Sequence, residues 1–165
     1  MTVSVRAVAA SVLGDVAQGS SLNKIYSRAE RSLADSERPF LRELVYGSLR
    51  LWPLYKGVTR QLLERPLKAK DAVLEGLLIM AMYELDECAT PDYASVSGAV
   101  DCCEQLRRPW AKRLINGCLR RYQRDKATLL KSLGDSERAA LPGWLYKLLS
   151  KSYPEHLDQL ADACR

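Results

Sequence analysis

Residues 109–122 read PWAKRLINGCLRRY. Proline is favoured at the first position of a helix, where its missing N–H has no partner to lose. Behind it, Ala111, Leu114, Ile115, Cys118, Leu119 and Tyr122 recur at the i, i+3, i+4, i+7 spacing of one helix face. Burying that face leaves Lys112, Arg113, Arg120, Arg121 and Arg124 on its flanks and outer side, with Arg107 and Arg108 in the preceding turn. Asn116-Gly117 sits inside this pattern, where glycine costs about 1 kcal/mol relative to alanine. That cost predicts close approach of a neighbouring helix at Gly117, with Asn116 capping or bridging another backbone segment.

The same period extends in both directions. Val5, Val8, Ala9, Val12, Leu13 and Val16 line a first helix that Gly19 stops. Ser20 or Ser21 caps a second, with Leu22, Ile25, Tyr26, Ala29 and Leu33 inside. A third begins near Asp35 or Ser36 and runs to about Leu51, and Pro53 kinks or restarts the chain into a fourth, Leu54 to Leu63. Asp71 opens a fifth, the segment after Pro91 forms a sixth, and Pro109 opens the seventh. No sustained period-two alternation is present, so the fold class is all-α, a bundle of about seven helices. Turn residues at Gly134 to Gly143 place a boundary between a domain at 1–133 and a short helical connector at 134–165.

Length and composition agree with this. At 165 residues and 47% hydrophobic content the chain supports one core, and its longest uncharged apolar run, Gly76 to Tyr83, is far too short to span a bilayer. Five cysteines without a Cys-x-x-Cys pair suit a reducing cytosol. The net charge of +5 is unevenly spread. Gln105 to Lys131 carries nine basic residues against one acid, while Asp71 to Glu104 carries eight acids and no base. Two adjoining segments of opposite sign predict a polarised surface.

Enzymatic constellations are mostly missing. The single histidine, His156, excludes a multi-His metal site and reads as a surface residue. The nine glycines never form a phosphate-cradling loop. Cys102-Cys103 reads as packing, since adjacent helical residues point in different directions, leaving the first thiol able to face solvent while the second packs inward. The basic helix is the functional candidate: cations on one rigid element can follow a phosphate backbone and release its counterions. A solvated helix face ion-paired to the acidic segment is equally compatible with charge alone. Trp110 and Tyr122 are placed either to stack bases or to pack at the core edge.

The strings LINGCLR (114–120), RELVYGSLR (42–50) and MAMYELDECATPDYASVSGAVDCCEQL (80–106) together resemble the NusB-like RNA-binding fold over roughly Val5 to Leu133. Downstream, LPGWLYKLLSKSYPEHLDQL (141–160) resembles the Pro-x-Trp-Leu then Tyr-Pro pattern that follows this domain in the bacterial small-subunit ribosomal RNA cytosine-C5 methyltransferases of the Sun/Fmu family. The resemblance implies a non-catalytic module that recruits or orients small-subunit rRNA for a C-terminal methyltransferase domain. That domain would use S-adenosylmethionine and a cysteine nucleophile outside these residues, and the chain would have no cofactor of its own. It implies RNA contact by Arg107, Arg108, Lys112, Arg113, Arg120, Arg121 and Arg124. In that family the chain ahead of the first helix is rich in Arg and Lys. Here Arg6 stands alone as the N-terminal candidate. The alternatives are a free NusB-type antitermination factor that binds RNA with a ribosomal-protein partner, and a module whose basic helix docks on an acidic protein face.

Overall fold

The computed structural model describes residues 3–164, which form ten α-helices and four single 3-10 turns with no strand among them. The centre is α5 (Ala72–Glu87), in which Leu74 and every residue from Gly76 to Glu84 are buried. A helix that is apolar nearly all round belongs in the interior. Packed about it are α1 (Val5–Ala17), α3 (Arg38–Arg50), α4 (Trp52–Leu62), α6 (Asp92–Gln105) and α7 (Lys112–Lys131), with α2 (Leu22–Arg31) outside α1.

Helices α1 and α5 cross through small residues. A Cβ added to Gly14 would stand 2.8 Å from Val73 Cα, and one added to Gly76 would stand 2.9 Å from the Ala10 carbonyl oxygen. The backbones meet where Ala9, Ala10 and Leu13 are wholly buried. α1 starts cleanly because the Ser4 hydroxyl accepts from the Ala7 N–H at 3.2 Å, an N-cap contact worth about 1 kcal/mol.

The proline restarts fall where the sequence places them, with small shifts. Pro53 lies in the first turn of α4, which begins at Trp52 rather than Leu54, since proline has no N–H to lose there. α6 ends at a left-handed residue, Arg107 (φ 57°), whose N–H donates to Glu104 O at 2.9 Å while Arg108 N–H donates to Cys103 O at 2.7 Å. This is the Schellman closure, in which glycine is the usual left-handed residue. A 3-10 turn at Pro109–Ala111 then leads into α7.

The main core ends at Leu133. Beyond it lie α8 (Asp135–Arg138), a turn absent from the sequence reading, then α9 (Gly143–Ser152) and α10 (Leu157–Ala163). Glu137, third in α8, reaches back to the Gly134 N–H at 3.1 Å, so the glycine starts a helical turn instead of only ending one. Leu141 and Ala140 are buried beside Leu49, Trp52 and Pro53, while Trp144 and Leu148 leave an apolar face of α9 open and Tyr153 is exposed just past its end. Cys102 corrects the expected outward thiol. It is as buried as Cys103, because α6 is covered by α1 on one side and by α5 and α7 on others.

Candidate nucleic-acid interface

Helix α7 divides as its period requires. Ile115, Cys118, Leu119, Tyr122 and Leu129 are buried, and Arg113, Asn116, Gly117, Arg120 and Arg124 share the opposite, exposed face. Gly117 overturns the expected close approach: a Cβ there would meet nothing within 4 Å. Asn116 likewise bridges no other segment among the described residues and is exposed. The glycine is a bare saddle between arginines, one helical turn from Arg113 and Arg120.

Ion pairing sorts the basic residues more sharply than exposure does. Arg6 forks onto buried Glu84, Nε to Oε2 at 2.9 Å and Nη2 to Oε1 at 2.6 Å, and lies over the Phe40 ring. That hydrogen bond raises its pKa further, against partial burial. Arg6 is therefore an internal tie between α1 and α5, a correction to its reading as an N-terminal RNA contact. Arg108 donates to Asp71 Oδ1 at 2.6 Å and to the Lys70 carbonyl at 2.8 Å. Lys112 holds Glu104 at 2.5 Å, Arg124 straddles Asp125 at 3.0 Å, and Arg121 donates to the Gln61 carbonyl at 3.2 Å. Arg107, Arg113 and Arg120 make no side-chain hydrogen bond or ion pair among the described residues and are exposed.

The acidic segment is consumed in the same way. Asp71, Glu75, Glu84, Asp86 and Glu104 face Arg108, Lys56, Arg6, Lys126 and Lys112. Five of its eight acids are thus paired inside or at the edge of the bundle, which weakens the predicted surface polarity on its acidic side. Asp86 is the densest of these nodes. The Tyr55 and Tyr122 hydroxyls donate to its Oδ2 at 3.0 and 2.6 Å, and Lys126 Nζ to its Oδ1 at 2.6 Å. Burial, reinforced by the neighbouring carboxylate, pushes both phenols far above their ordinary range. Of the two aromatics read as either stacking or core, Tyr122 is core and Trp110 is 58% exposed.

One feature escaped the sequence reading. The loop between α4 and α5 carries Arg65, Lys68 and Lys70, and it faces Arg107, Arg108 and Trp110 across a cleft of about 670 Å³. The signal was present as RPLKAKD at 65–71, three cations in six residues, but it lies between helical periods and belongs to no helix face. Because Asp71 is tied up by Arg108, the cleft keeps a strong positive excess. The first turn of α7 adjoins it with Lys112 and Arg113 and contains no acid, placing two cations at the end where the helix dipole is itself positive. Such an arrangement repels its own parts and is relieved by an anion.

Among the described residues no group of three or more His, Cys, Asp or Glu side chains could hold a metal ion, and no helix is long and apolar enough to cross a membrane. Burial raises the thiols of Cys102 and Cys118 and pushes Cys88 and Cys103 up to about 11, the opposite of what a nucleophile needs.

Comparison with known proteins matches the NusB family over residues 3–124. Proteins named ribosomal RNA small subunit methyltransferase B are similar over nearly the whole chain. That of Vibrio cholerae is 36% identical over 164 residues, covering 98% of this chain and 38% of that protein. The Serratia proteamaculans protein is 34% identical over 160 residues, covering 96% and 37%. That of Yersinia enterocolitica is 33% identical over 164 residues, covering 98% and 38%. The chain thus spans well under half the length of the curated relatives it matches.

Proposed function

This chain belongs to the NusB family, and from that premise we propose that it is the RNA-binding domain of a small-subunit ribosomal RNA methyltransferase, non-catalytic by itself. It holds or orients small-subunit rRNA for a methyltransferase domain. The observation that carries this reading is the exposed face of α7, where Arg113 and Arg120 stand unpaired on either side of Gly117. Cations without protein partners on one rigid helix are free to neutralise successive phosphates. Arg121, Arg124 and Lys112 form the flanks of this surface, and Arg108 anchors its edge by holding the loop at Lys70 and Asp71.

The likeness to methyltransferases extends through α8–α10, well past the end of the NusB match at residue 124. This supports the methyltransferase assignment over a free antitermination factor. We read 1–133 as the RNA-binding domain, in keeping with a main core that ends at Leu133, and 134–165 as the connector. The open apolar face of α9 at Trp144 and Leu148, with Tyr153 exposed at its end, suits contact with the methyltransferase domain. S-adenosylmethionine is the methyl donor proposed for that domain. The residues present here do not fit it: the glycines are scattered through helices and turns, and no strand exists among the described residues to present a glycine-rich loop. A cytoplasmic site of action follows from the rRNA substrate.

The test is binding of the chain to a small-subunit rRNA fragment, followed by fluorescence anisotropy across a salt series. Arg113→Glu with Arg120→Glu should weaken binding at least tenfold at low salt and flatten the salt dependence. Unchanged binding would rule the α7 face out.

A further inference from the structure

We propose that the cleft between the α4–α5 loop and the α6–α7 junction is a nucleotide subsite for unpaired RNA, with Trp110 as the stacking platform for a base and Arg65, Lys68 and Arg107 as the phosphate contacts. The proposal rests on the RNA-binding reading and adds to it a recognition of strand state that the α7 arginines cannot supply, since phosphates occur on paired and unpaired strands alike.

Four observations converge on it. The cleft is an open groove of about 670 Å³, room enough to seat one nucleotide against its wall. Its aromatic is open: Trp110 is 58% exposed, and its neighbour in sequence, Ala111, is fully buried, so a rigid 3-10 turn presents the indole. Its cations are available, because Arg65, Lys68 and Arg107 have no side-chain partner among the described residues, whereas Arg108 is fixed as a floor by Asp71 and the Lys70 carbonyl. Finally, Arg107 holds a left-handed backbone (φ 57°) where glycine would be easier, and it thereby carries a long cationic side chain at the cleft edge.

Within a duplex both faces of a base are covered by its neighbours except at the very ends, whereas any unpaired base has a face to stack, so the subsite reads unpairedness rather than sequence. Pro66 and Leu67 at the lip give the loop a restricted backbone and an apolar edge.

Three fluorescent probes of equal length separate the terms: a short oligouridylate, the same backbone lacking bases, and a blunt RNA duplex. The chain should bind oligouridylate about tenfold more tightly than the abasic backbone, the scale of one stacked base. Trp110→Ala should erase that preference while leaving abasic binding unchanged, and Trp110→Phe should retain most of it. Lys68→Glu should weaken both single-stranded probes severalfold. Trp110 is exposed, so an unchanged thermal midpoint verifies that its variants fold. If Trp110→Ala keeps the preference while the Arg113→Glu, Arg120→Glu pair loses binding, the subsite is overturned and the RNA-binding reading stands. Absence of binding to all three probes at low salt overturns both.

Discussion

Arg6 and Glu84 join α1 to α5 through two parallel hydrogen bonds, at 2.9 and 2.6 Å, on a carboxylate that is wholly buried. Removing one partner leaves a charge in the interior without compensation. Arg6→Met should therefore destabilise the fold by about 3 kcal/mol, read as a lower urea midpoint. The double change Arg6→Met with Glu84→Leu should cost less than the single one, because no unpaired charge remains. RNA affinity of the folded Arg6→Met protein should stay within twofold of the parent, and a loss comparable to that of Arg120→Glu would return Arg6 to the RNA face.

Two helix-interior glycines should respond to alanine with opposite signs. Gly117→Ala adds a methyl group to open space and should stabilise by about 1 kcal/mol through helix propensity. Gly76→Ala drives the same methyl to 2.9 Å from the Ala10 carbonyl oxygen and should destabilise by at least 1 kcal/mol through overpacking. Thermal midpoints of the two variants settle the comparison. If the saddle at Gly117 lets a phosphate approach the helix, Gly117→Ala should also weaken RNA binding even as it raises the midpoint.

Arg120 and Arg124 differ by one turn of helix and by one carboxylate. Arg124 is straddled by Asp125, whereas Arg120 has no partner among the described residues. Arg120→Gln should lower RNA affinity severalfold and reduce the salt slope by about one unit, with a smaller effect for Arg124→Gln. Asp125→Asn should do the reverse, freeing Arg124 and strengthening binding at low salt. Anisotropy titrations at several salt concentrations measure both arms.

Alkaline pH should unfold the bundle through its tyrosines. Tyr55 and Tyr122 have phenols raised far above their ordinary range by burial beside Asp86, so the folded state keeps them protonated. Unfolded phenols ionise near pH 10, roughly the model-peptide value. The folded state thus binds more protons above that pH, and stability present below it is lost as pH rises further. Tyrosinate absorbance from these two residues should grow in step with loss of helical circular dichroism. Their ionisation within a fully helical protein would contradict the burial argument.

The helix order was legible because a 3.6-residue period needs only local sequence, and proline and glycine marked most of the joints. What local sequence does not contain is which helix faces which. Arg6 looked like a free cation because Glu84 reaches it only through the α1–α5 crossing, and the acidic segment looked like a surface because its partners come from four other elements. Gly117 illustrates the same limit: its cost is readable, but whether it faces a helix or open space is a property of packing. The loop at 65–70 carries no helical period, so its local pattern does not mark which face of the molecule its cations join.

The close crossing of α1 and α5 also imposes an order on synthesis. α1 buries Val5, Ala9, Ala10, Val12 and Leu13 chiefly against a helix that leaves the ribosome more than fifty residues later, on the order of several seconds at ordinary elongation rates. During that interval the first helix has α2 and α3 to pack against but lacks its main partner, so much of its apolar face stays open. The nascent chain is then a substrate for hydrophobic holding factors, and a translational pause before α5 would prolong the exposure that a pause after it would not.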